Sequence, residues 1–145
     1  MIGSVVRSVV AVVLGLTAAM FFIVGVEGVS SVLHPFPPGV DPANYDAVKA
    51  HVARYPAWVL LLVVAGWGLG TLVSSWLATR LGSGRHLAHG IVVGSILLVA
   101  AVANMIMLPY PVWFWVANLV VFPVGFTLGA KLGQPRSSTG QSAAA

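Results

Sequence analysis

Four long apolar stretches, separated by short polar segments, dominate the pattern of this chain. They cover residues 5–33, 56–79, 87–108 and 112–132. Each stretch reaches or exceeds the roughly 20 apolar residues that an α-helix needs to cross a hydrocarbon layer about 30 Å thick. The pattern predicts an all-α fold: a membrane-spanning four-helix bundle that runs up, down, up and down, as a single domain over residues 1–133.

The segment between the first two stretches has a different pattern. His34-Pro35-Phe36-Pro37-Pro38 cannot continue a helix, because its prolines lack the N–H donor and fix φ. Asp41-Pro42 is a helix-start pair, with Asp as the N-cap and Pro at the first helical position. Apolar and aromatic residues then recur at helical spacing. We therefore predict a short amphipathic helix over about 42–55, lying on the outer membrane surface.

Composition strengthens the membrane prediction and excludes other classes of protein. Hydrophobic residues make up 59% of the 145 residues, charged residues make up 7%, and the mean hydropathy is +0.98. So few charged side chains could not cover a soluble surface. The net charge of +4 comes from basic residues that stand singly beside the apolar stretches, which argues against nucleic-acid binding. Without cysteine there is no disulfide framework or thiolate metal site.

The basic residues also predict the orientation of the chain. Cytoplasmic loops carry an excess of Lys and Arg. In a four-span bundle one side holds Arg7, Arg80, Arg85, Lys131 and Arg136, and the other side holds Lys49 and Arg54. We therefore expect a multi-pass protein of the cell (plasma or inner) membrane with both termini cytoplasmic. The tail over 134–145 is rich in small and polar residues, so we expect it to be disordered.

Small residues recur at four-residue steps along the predicted spans. Helices that meet in lipid approach most closely at such positions. We expect helix contacts at Gly66, Gly68, Gly70, Gly90, Gly94, Gly125 and Gly129. We favour packing within one bundle, while a homo-oligomer or a membrane-protein partner stays open; the lipid bilayer is the partner that the composition itself predicts.

Glu27 is the only acidic residue inside a predicted span. A carboxylate in the hydrocarbon is costly and usually faces the bundle interior or a partner. Asn104 and Asn118 lie at a similar depth on two other spans, and Ser30 and His34 follow Glu27 on its own helix face. Together these five residues predict an outward-facing polar pocket, roofed by the proline-rich segment that begins at His34.

Two functions follow from two interpretations of Glu27. Burial favours a neutral carboxyl that only donates a hydrogen bond between helices. The protein would then be a non-enzymatic structural or accessory membrane component, whose pocket stabilises the bundle or docks a partner or lipid. In the alternative, Glu27 is the titrating group of a small transporter or proton-linked permeation subunit. Polar residues are scarce in the inner half of the spans, which favours the first interpretation.

No motif for catalysis, cofactor binding or metal binding stands out. No Ser or Thr has a base at a recognisable spacing, so a hydrolase is disfavoured and no catalytic residue is assigned. His86 and His89 are three residues apart, but no carboxylate or third histidine lies near them in the sequence. Glu27, His34 and His51 match no zinc motif. We therefore expect no enzyme activity, no cofactor and no metal.

Several short motifs resemble a set of small, uncharacterised bacterial four-helix integral membrane proteins. They are Glu27, His34-Pro35-Phe36-Pro37, Tyr55-Pro56-Ala57, a glycine-rich second span and Pro109-Tyr110-Pro111-Val112-Trp113-Phe114. The similarity covers about residues 5–133. Tyr110-Pro111 stands where those sequences have a His-Pro pair, so no histidine role carries over to this turn. The resemblance implies an integral membrane protein and supplies neither an activity nor catalytic residues.

Overall fold

The computed structural model describes residues 2–84 and 86–135, and these residues form five α-helices and no strand. The helices are α1 (Ile2–Leu33), α2 (Tyr45–Val52), α3 (Ala57–Leu81), α4 (His86–Met107) and α5 (Val112–Leu132). The predicted all-α class is confirmed. Arg85 and the part of the predicted disordered tail from residue 136 onward, including Arg136, lie outside the described residues.

Four of these helices are long and apolar enough to span a membrane. α1, α3, α4 and α5 contain 32, 25, 22 and 21 residues. At 1.5 Å per residue their lengths are about 48, 38, 33 and 32 Å, so each matches or exceeds the hydrocarbon thickness of about 30 Å. The observed bounds follow the predicted spans closely. The chain has the build of a multi-pass membrane protein.

The helix in the first loop, α2, is shorter than predicted. It begins at Tyr45 rather than at residue 42 and ends at Val52 rather than at residue 55. Asp41 does not cap it. The Asp41 Oδ1 accepts a hydrogen bond from the Ala43 backbone N (2.9 Å), and the Asp41 carbonyl accepts one from the Asn44 backbone N (3.1 Å). Asp41-Pro42 thus forms a separate turn, which uses the acceptor that a helix cap would need.

Asn44 takes the capping role instead. Its Oδ1 accepts hydrogen bonds from the backbone N–H groups of Asp46 (3.0 Å) and Ala47 (3.3 Å). Asn is among the strongest N-cap residues, because its side chain satisfies donors that have no partner within the helix. The turn at Asp41 therefore delays the start of α2 by three residues.

α3 is the central helix of the bundle and packs against α1, α4 and α5. α4 also packs against α1 and α5, whereas within the described residues no Cα atom of α1 comes within 8 Å of one of α5. α3 and α4 are therefore the middle pair, with α1 and α5 on opposite sides of it. Gly66 lies against Val26 and Gly15 lies against Ala78, so α1 and α3 run antiparallel.

The predicted packing glycines lie at these helix crossings. A methyl group added at any of the seven would come within 3.0 Å of an atom of a neighbouring helix. Gly68 faces the Val121 side chain, Gly94 faces Phe126, and Gly129 faces the backbone carbonyl of Leu72. These contacts are all within one chain, so the close approach of the helices accounts for the glycine spacing without a second copy.

The two ends of the bundle carry different groups. At the end that holds α2, hereafter the α2 end, α1 and α4 finish while α3 and α5 begin. At the opposite end, hereafter the termini end, the Arg7 Nε donates a hydrogen bond to the carbonyl of Leu81 (2.8 Å), which ties α1 to α3. Between the ends lie two apolar clusters, and Trp67 packs against both of them.

Candidate functional site

Glu27 lies on the exposed surface of α1. It makes no hydrogen bond or ion pair with the residues that the structure describes. It lies close enough to Tyr55 and Tyr110, at the α2 end, for its negative charge to affect the pKa of both. Burial and, after it, the negative charge of Glu27 raise the pKa of Tyr55. Burial, the neighbouring Tyr55 and Glu27 together raise the pKa of Tyr110 to about 12.

The two asparagines occupy different environments. Asn118 on α5 is fully buried, and its Nδ2 donates a hydrogen bond to the carbonyl of Phe114 (2.8 Å) one turn earlier. Asn104 on α4 is half-buried and lines a cavity. The side-chain carbonyl oxygen of each is buried without a hydrogen-bond partner in the described part of the chain. Neither asparagine is bonded to Glu27.

Ser30, on the last turn of α1, and His34, directly after the helix, belong to a third environment. Ser30 is 3% exposed, and its hydroxyl has no partner among residues 2–84 and 86–135. The His34 backbone N donates to the Ser30 carbonyl (2.8 Å), and the His34 ring stacks on the His51 ring of α2 with 4.6 Å between centroids. His34 therefore connects α1 to the first loop.

The five predicted pocket residues therefore do not form a single site. Hydropathy indicates how deep a residue lies, whereas packing decides how far each helix is rotated. Phe22 and Val26 take the side of α1 that faces α3, where they lie against Gly70 and Gly66. This rotation leaves Glu27 exposed, while Asn118 is enclosed within the bundle.

The cavity beside Asn104 is the candidate functional site. Its volume is about 190 Å³, and all four spanning helices contribute to its wall. Its lining residues are Ala19, Phe22 and Ile23 of α1; Trp67, Gly70 and Thr71 of α3; Leu97, Ala100, Ala101 and Asn104 of α4; and Phe122 of α5. Most of the wall is apolar or aromatic, and a few polar groups interrupt it, which is the usual composition of a ligand pocket.

Trp67 was not predicted as a site residue, because the glycines on either side of it, Gly66 and Gly68, already accounted for its segment as a place of helix packing. The Trp67 ring meets Phe114 and Phe122 edge to face, with centroids 5.8 and 6.2 Å apart. Its indole N–H is buried without a partner in the described residues. Tryptophans of membrane proteins favour the two membrane interfaces. Trp67 is the eleventh residue of the 25-residue helix α3, near its middle, and this unusual position was the sequence signal that could have identified it.

A row of buried hydroxyl groups follows α3 from the cavity toward the termini end. Its members are Thr71, Ser74, Ser75 and Thr79, each no more than 2% exposed. Thr71 donates to the Trp67 carbonyl (2.8 Å), but the other three hydroxyls have no partner where the structure describes the chain. Gly90 packs directly on Thr79, and Gly129 packs on Ser75. The row is therefore in close contact with α4 and α5.

A cluster of aromatic rings holds the first loop against the α2 end. The His51 ring is 5% exposed and stacks on Phe36 with 4.0 Å between centroids, and His34 and Tyr55 meet edge to face at 5.0 Å. The His51 Nε2 donates to the His34 carbonyl (3.1 Å). The hydroxyl of Tyr45 donates to the carbonyl of Met107 at the end of α4 (2.7 Å). α2 is thereby attached to both α1 and α4.

Acidification is expected to loosen this cluster. Burial is the largest cause that lowers the pKa of His51, and the nearby His34 and Arg54 lower it further, while the hydrogen bond to the His34 carbonyl opposes the shift. The folded loop therefore favours neutral His51. Its contribution to stability is complete above the unfolded pKa of about 6.5 and decreases as the pH falls from there through the lower folded-state pKa.

Amide hydrogen exchange across α2, corrected for its intrinsic pH dependence, measures this effect. We expect faster corrected exchange below about pH 6.5. His51→Phe, which keeps a ring beside Phe36, should remove the pH dependence. If the His51 ring titrates at or above 6.5 by NMR, the expectation is wrong.

Comparison with known proteins assigns no function to this site. No protein family, no curated protein and no solved structure matches the chain. Among the described residues, no three His, Asp or Glu side chains are placed to share a metal ion. The resemblance to small bacterial four-helix proteins stays a prediction.

Proposed function

We propose that this protein is a non-enzymatic accessory component of a cell membrane, and that its outward-opening pocket holds a lipid-soluble molecule. The observation that carries the proposal is the cavity of about 190 Å³ between the four spanning helices, whose wall is mostly apolar and aromatic. A wall of this composition is typical of a site for a small, largely apolar molecule. A molecule bound there would stabilise the folded bundle.

The packing around the cavity supports retention of a molecule rather than its passage. On the side toward the termini, the bundle is filled by a buried apolar cluster that includes Ala78 and Val93. A methyl carbon added at Gly15 would lie 3.0 Å from the Cβ of Ala78, so α1 and α3 are in close contact there. A molecule that enters the cavity therefore meets close-packed side chains beyond it.

Extraction of bound compounds tests this proposal. Protein purified from its native membrane in mild detergent would be extracted and analysed by mass spectrometry. We expect one apolar compound to accompany the wild type in near-stoichiometric amount and to be lost in Ala101→Leu, which fills the cavity. Ala103→Leu is the matched control, since Ala103 is exposed on the same helix and does not line the cavity. Equal retention by all three proteins, or no enrichment in any, would refute the proposal.

The orientation that makes this pocket outward-facing is itself testable. We expect reporter fusions at Gly84 and at the C-terminus to report a cytoplasmic position, and a fusion at Gly39 to report an external one. The reason is the excess of basic residues at the termini end, five against two by sequence. An external C-terminus would mean an odd number of spans.

A second candidate function, proton-linked permeation, is favoured by one specific observation. The buried hydroxyl row on α3 continues from the cavity toward the termini end, and Glu27 lies on the α2 side of the cavity. Reconstituted protein would then give a pH-dependent proton flux in liposomes, and both Glu27→Gln and Ser75→Ala would reduce it. A flux equal to that of empty liposomes would exclude this function.

A further inference from the structure

We infer that the face of α1 around Glu27 binds a transmembrane helix of another protein, and that this helix carries a lysine or arginine within its apolar span. This surface, hereafter the Glu27 face, consists of exposed residues that recur at helical spacing: Met20, Val24, Glu27, Gly28 and Ser31. None of them lines the cavity, so the inference does not depend on what the cavity holds.

The packing of α1 on α3 shows how deep Glu27 lies. Val26 lies against Gly66, the tenth residue of the 25-residue helix α3. Because α1 runs toward the α2 end, Glu27 lies one residue nearer to that end, at about 12 Å from the first residue of α3. α3 is about 38 Å long. With α3 centred in a hydrocarbon layer of about 30 Å, Glu27 lies about 8 Å inside that layer.

Nothing in the described chain compensates for a carboxyl group at this depth. Glu27 is exposed and has no hydrogen bond or ion pair with residues 2–84 and 86–135. Acidic residues inside spans almost always face a bundle interior or a water-filled cavity, or pair with another group, because an isolated charge in hydrocarbon is costly. The long side chains of Lys and Arg can extend to the water, but glutamate has less reach. A group that pairs with Glu27 therefore has to come from outside the chain.

Gly28, the next residue, leaves room for a helix to approach the carboxyl group. A methyl carbon added at Gly28 would meet no heavy atom of the described chain within 4 Å, whereas each of the seven packing glycines meets a neighbouring helix. Glycine lowers helix propensity relative to alanine, and no packing within the bundle offsets this at Gly28. Small residues allow two helix backbones to come close together in lipid. A partner helix can therefore reach Glu27 beside Gly28.

The charge of the Glu27 face and the sequence of this chain select the occupant. A Lys or Arg on the partner would neutralise an ionised Glu27, and the pair would leave neither charge isolated in lipid. A second copy of this chain does not offer such a group. No Lys or Arg falls within residues 8–48, 55–79 or 86–130, which include most of each spanning helix. The partner is therefore a different protein.

Synthetic transmembrane peptides test this charge complementarity. Full-length protein in lipid vesicles would carry a donor dye on Ala53→Cys, an exposed position in a chain without native cysteine. Energy transfer would then report binding of acceptor-labelled poly-leucine helices. One peptide has a single Lys about 8 Å inside the hydrocarbon, and its match has Leu there. We expect the Lys peptide to bind about three- to twentyfold more tightly, the range found for polar contacts between membrane helices. Equal binding of the two peptides would overturn the inference.

Variants of the Glu27 face locate the binding site. Glu27→Gln should abolish the preference for the Lys peptide, and Glu27→Lys should transfer it to a peptide with Glu at the same depth. Gly28→Leu should weaken binding, since it blocks the approach of the peptide. Gly25→Leu is the matched control: Gly25 is equally open but lies two residues before Glu27, on nearly the opposite side of α1. Equal weakening by both leucine variants would place the peptide elsewhere and refute the inference. The wild-type comparison of the two peptides is decisive even if a variant folds poorly.

Disulfide trapping tests whether a second copy covers the Glu27 face instead. Gly28→Cys, oxidised in its native membrane, should not give a disulfide-linked dimer as the main product. A dominant dimer would show that two copies meet at this face, and the inference of a different partner would then be wrong. Neither result bears on the cavity, which the extraction of bound compounds tests separately.

Discussion

Replacement of Gly129 with alanine is expected to lower the free energy of unfolding by about 1–3 kcal/mol, the usual cost of an overpacked core. The added methyl carbon would meet the backbone carbonyl of Leu72 and, at 3.1 Å, the Cβ of Ser75. A backbone atom of the central helix cannot move aside as the end of a side chain can. α5 would have to shift away from α3, with loss of contacts along their whole crossing.

Gly25→Ala is the matched control for this prediction. An alanine at Gly25 would have no heavy atom within 4 Å of its methyl carbon, and it gains the same helix propensity as an alanine at Gly129. Unfolding in SDS-containing mixed micelles, followed by circular dichroism, compares the two variants with the wild type. If the Gly129→Ala and Gly25→Ala variants unfold at the same SDS fraction, the close approach of α5 to α3 does not limit the stability of the bundle.

Glu27→Leu is expected to stabilise the protein in a bilayer by about 1–2 kcal/mol, since a carboxyl group below the membrane surface is costly but this one is not at the centre. The sequence-based pocket implied the opposite, because there Glu27 paired with an asparagine. In the structure Glu27 is exposed on α1 and has no hydrogen-bond partner among the described residues. Its removal therefore leaves no buried group unpaired.

The Glu27→Gln variant separates the effect of the charge of Glu27 on stability from the effect of its polarity. Glutamine removes the charge and keeps the polarity, so its gain in stability should be smaller than that of leucine. Reversible unfolding of the three proteins in the same lipid, measured by steric trapping, gives the comparison. A loss of stability in Glu27→Leu that Glu27→Gln does not share would show that the carboxyl group donates a structural hydrogen bond.

The spans could be predicted from the sequence because lipid imposes a length and a composition that few other structures share. α1, α3, α4 and α5 begin and end close to the predicted residues. The start of α2 was harder to predict, because the first loop holds two candidate N-cap residues. Asp41 and Asn44 are both good N-cap residues, and only the hydrogen bonds of the folded turn show that Asp41 is already engaged with Ala43.

The candidate site was only partly predictable, for a geometric reason. The sequence gives the depth of Glu27, Asn104 and Asn118, but the rotation of each helix depends on how side chains such as Val26 interlock with glycines of a neighbour. One asparagine lines the cavity, the other is enclosed, and Glu27 is exposed. Trp67 was missed because neighbouring glycines gave its segment a sufficient explanation as a packing motif.

In the described structure no Cα atom of α1 comes within 8 Å of one of α5, whereas α3, α4 and α5 each pack against the other two. α1 is held to this group of three mainly by its close packing on α3, where Val26 lies against Gly66 and Phe22 lies against Gly70. We therefore expect the cavity to widen by a tilt of α1 about that crossing, away from α4. The Arg7 hydrogen bond to Leu81 at one end and the His34–His51 stack at the other fasten the two ends of α1, so we expect both to restrain this tilt. The rate at which a molecule enters the cavity should therefore depend on residues about one membrane thickness apart, which never touch it.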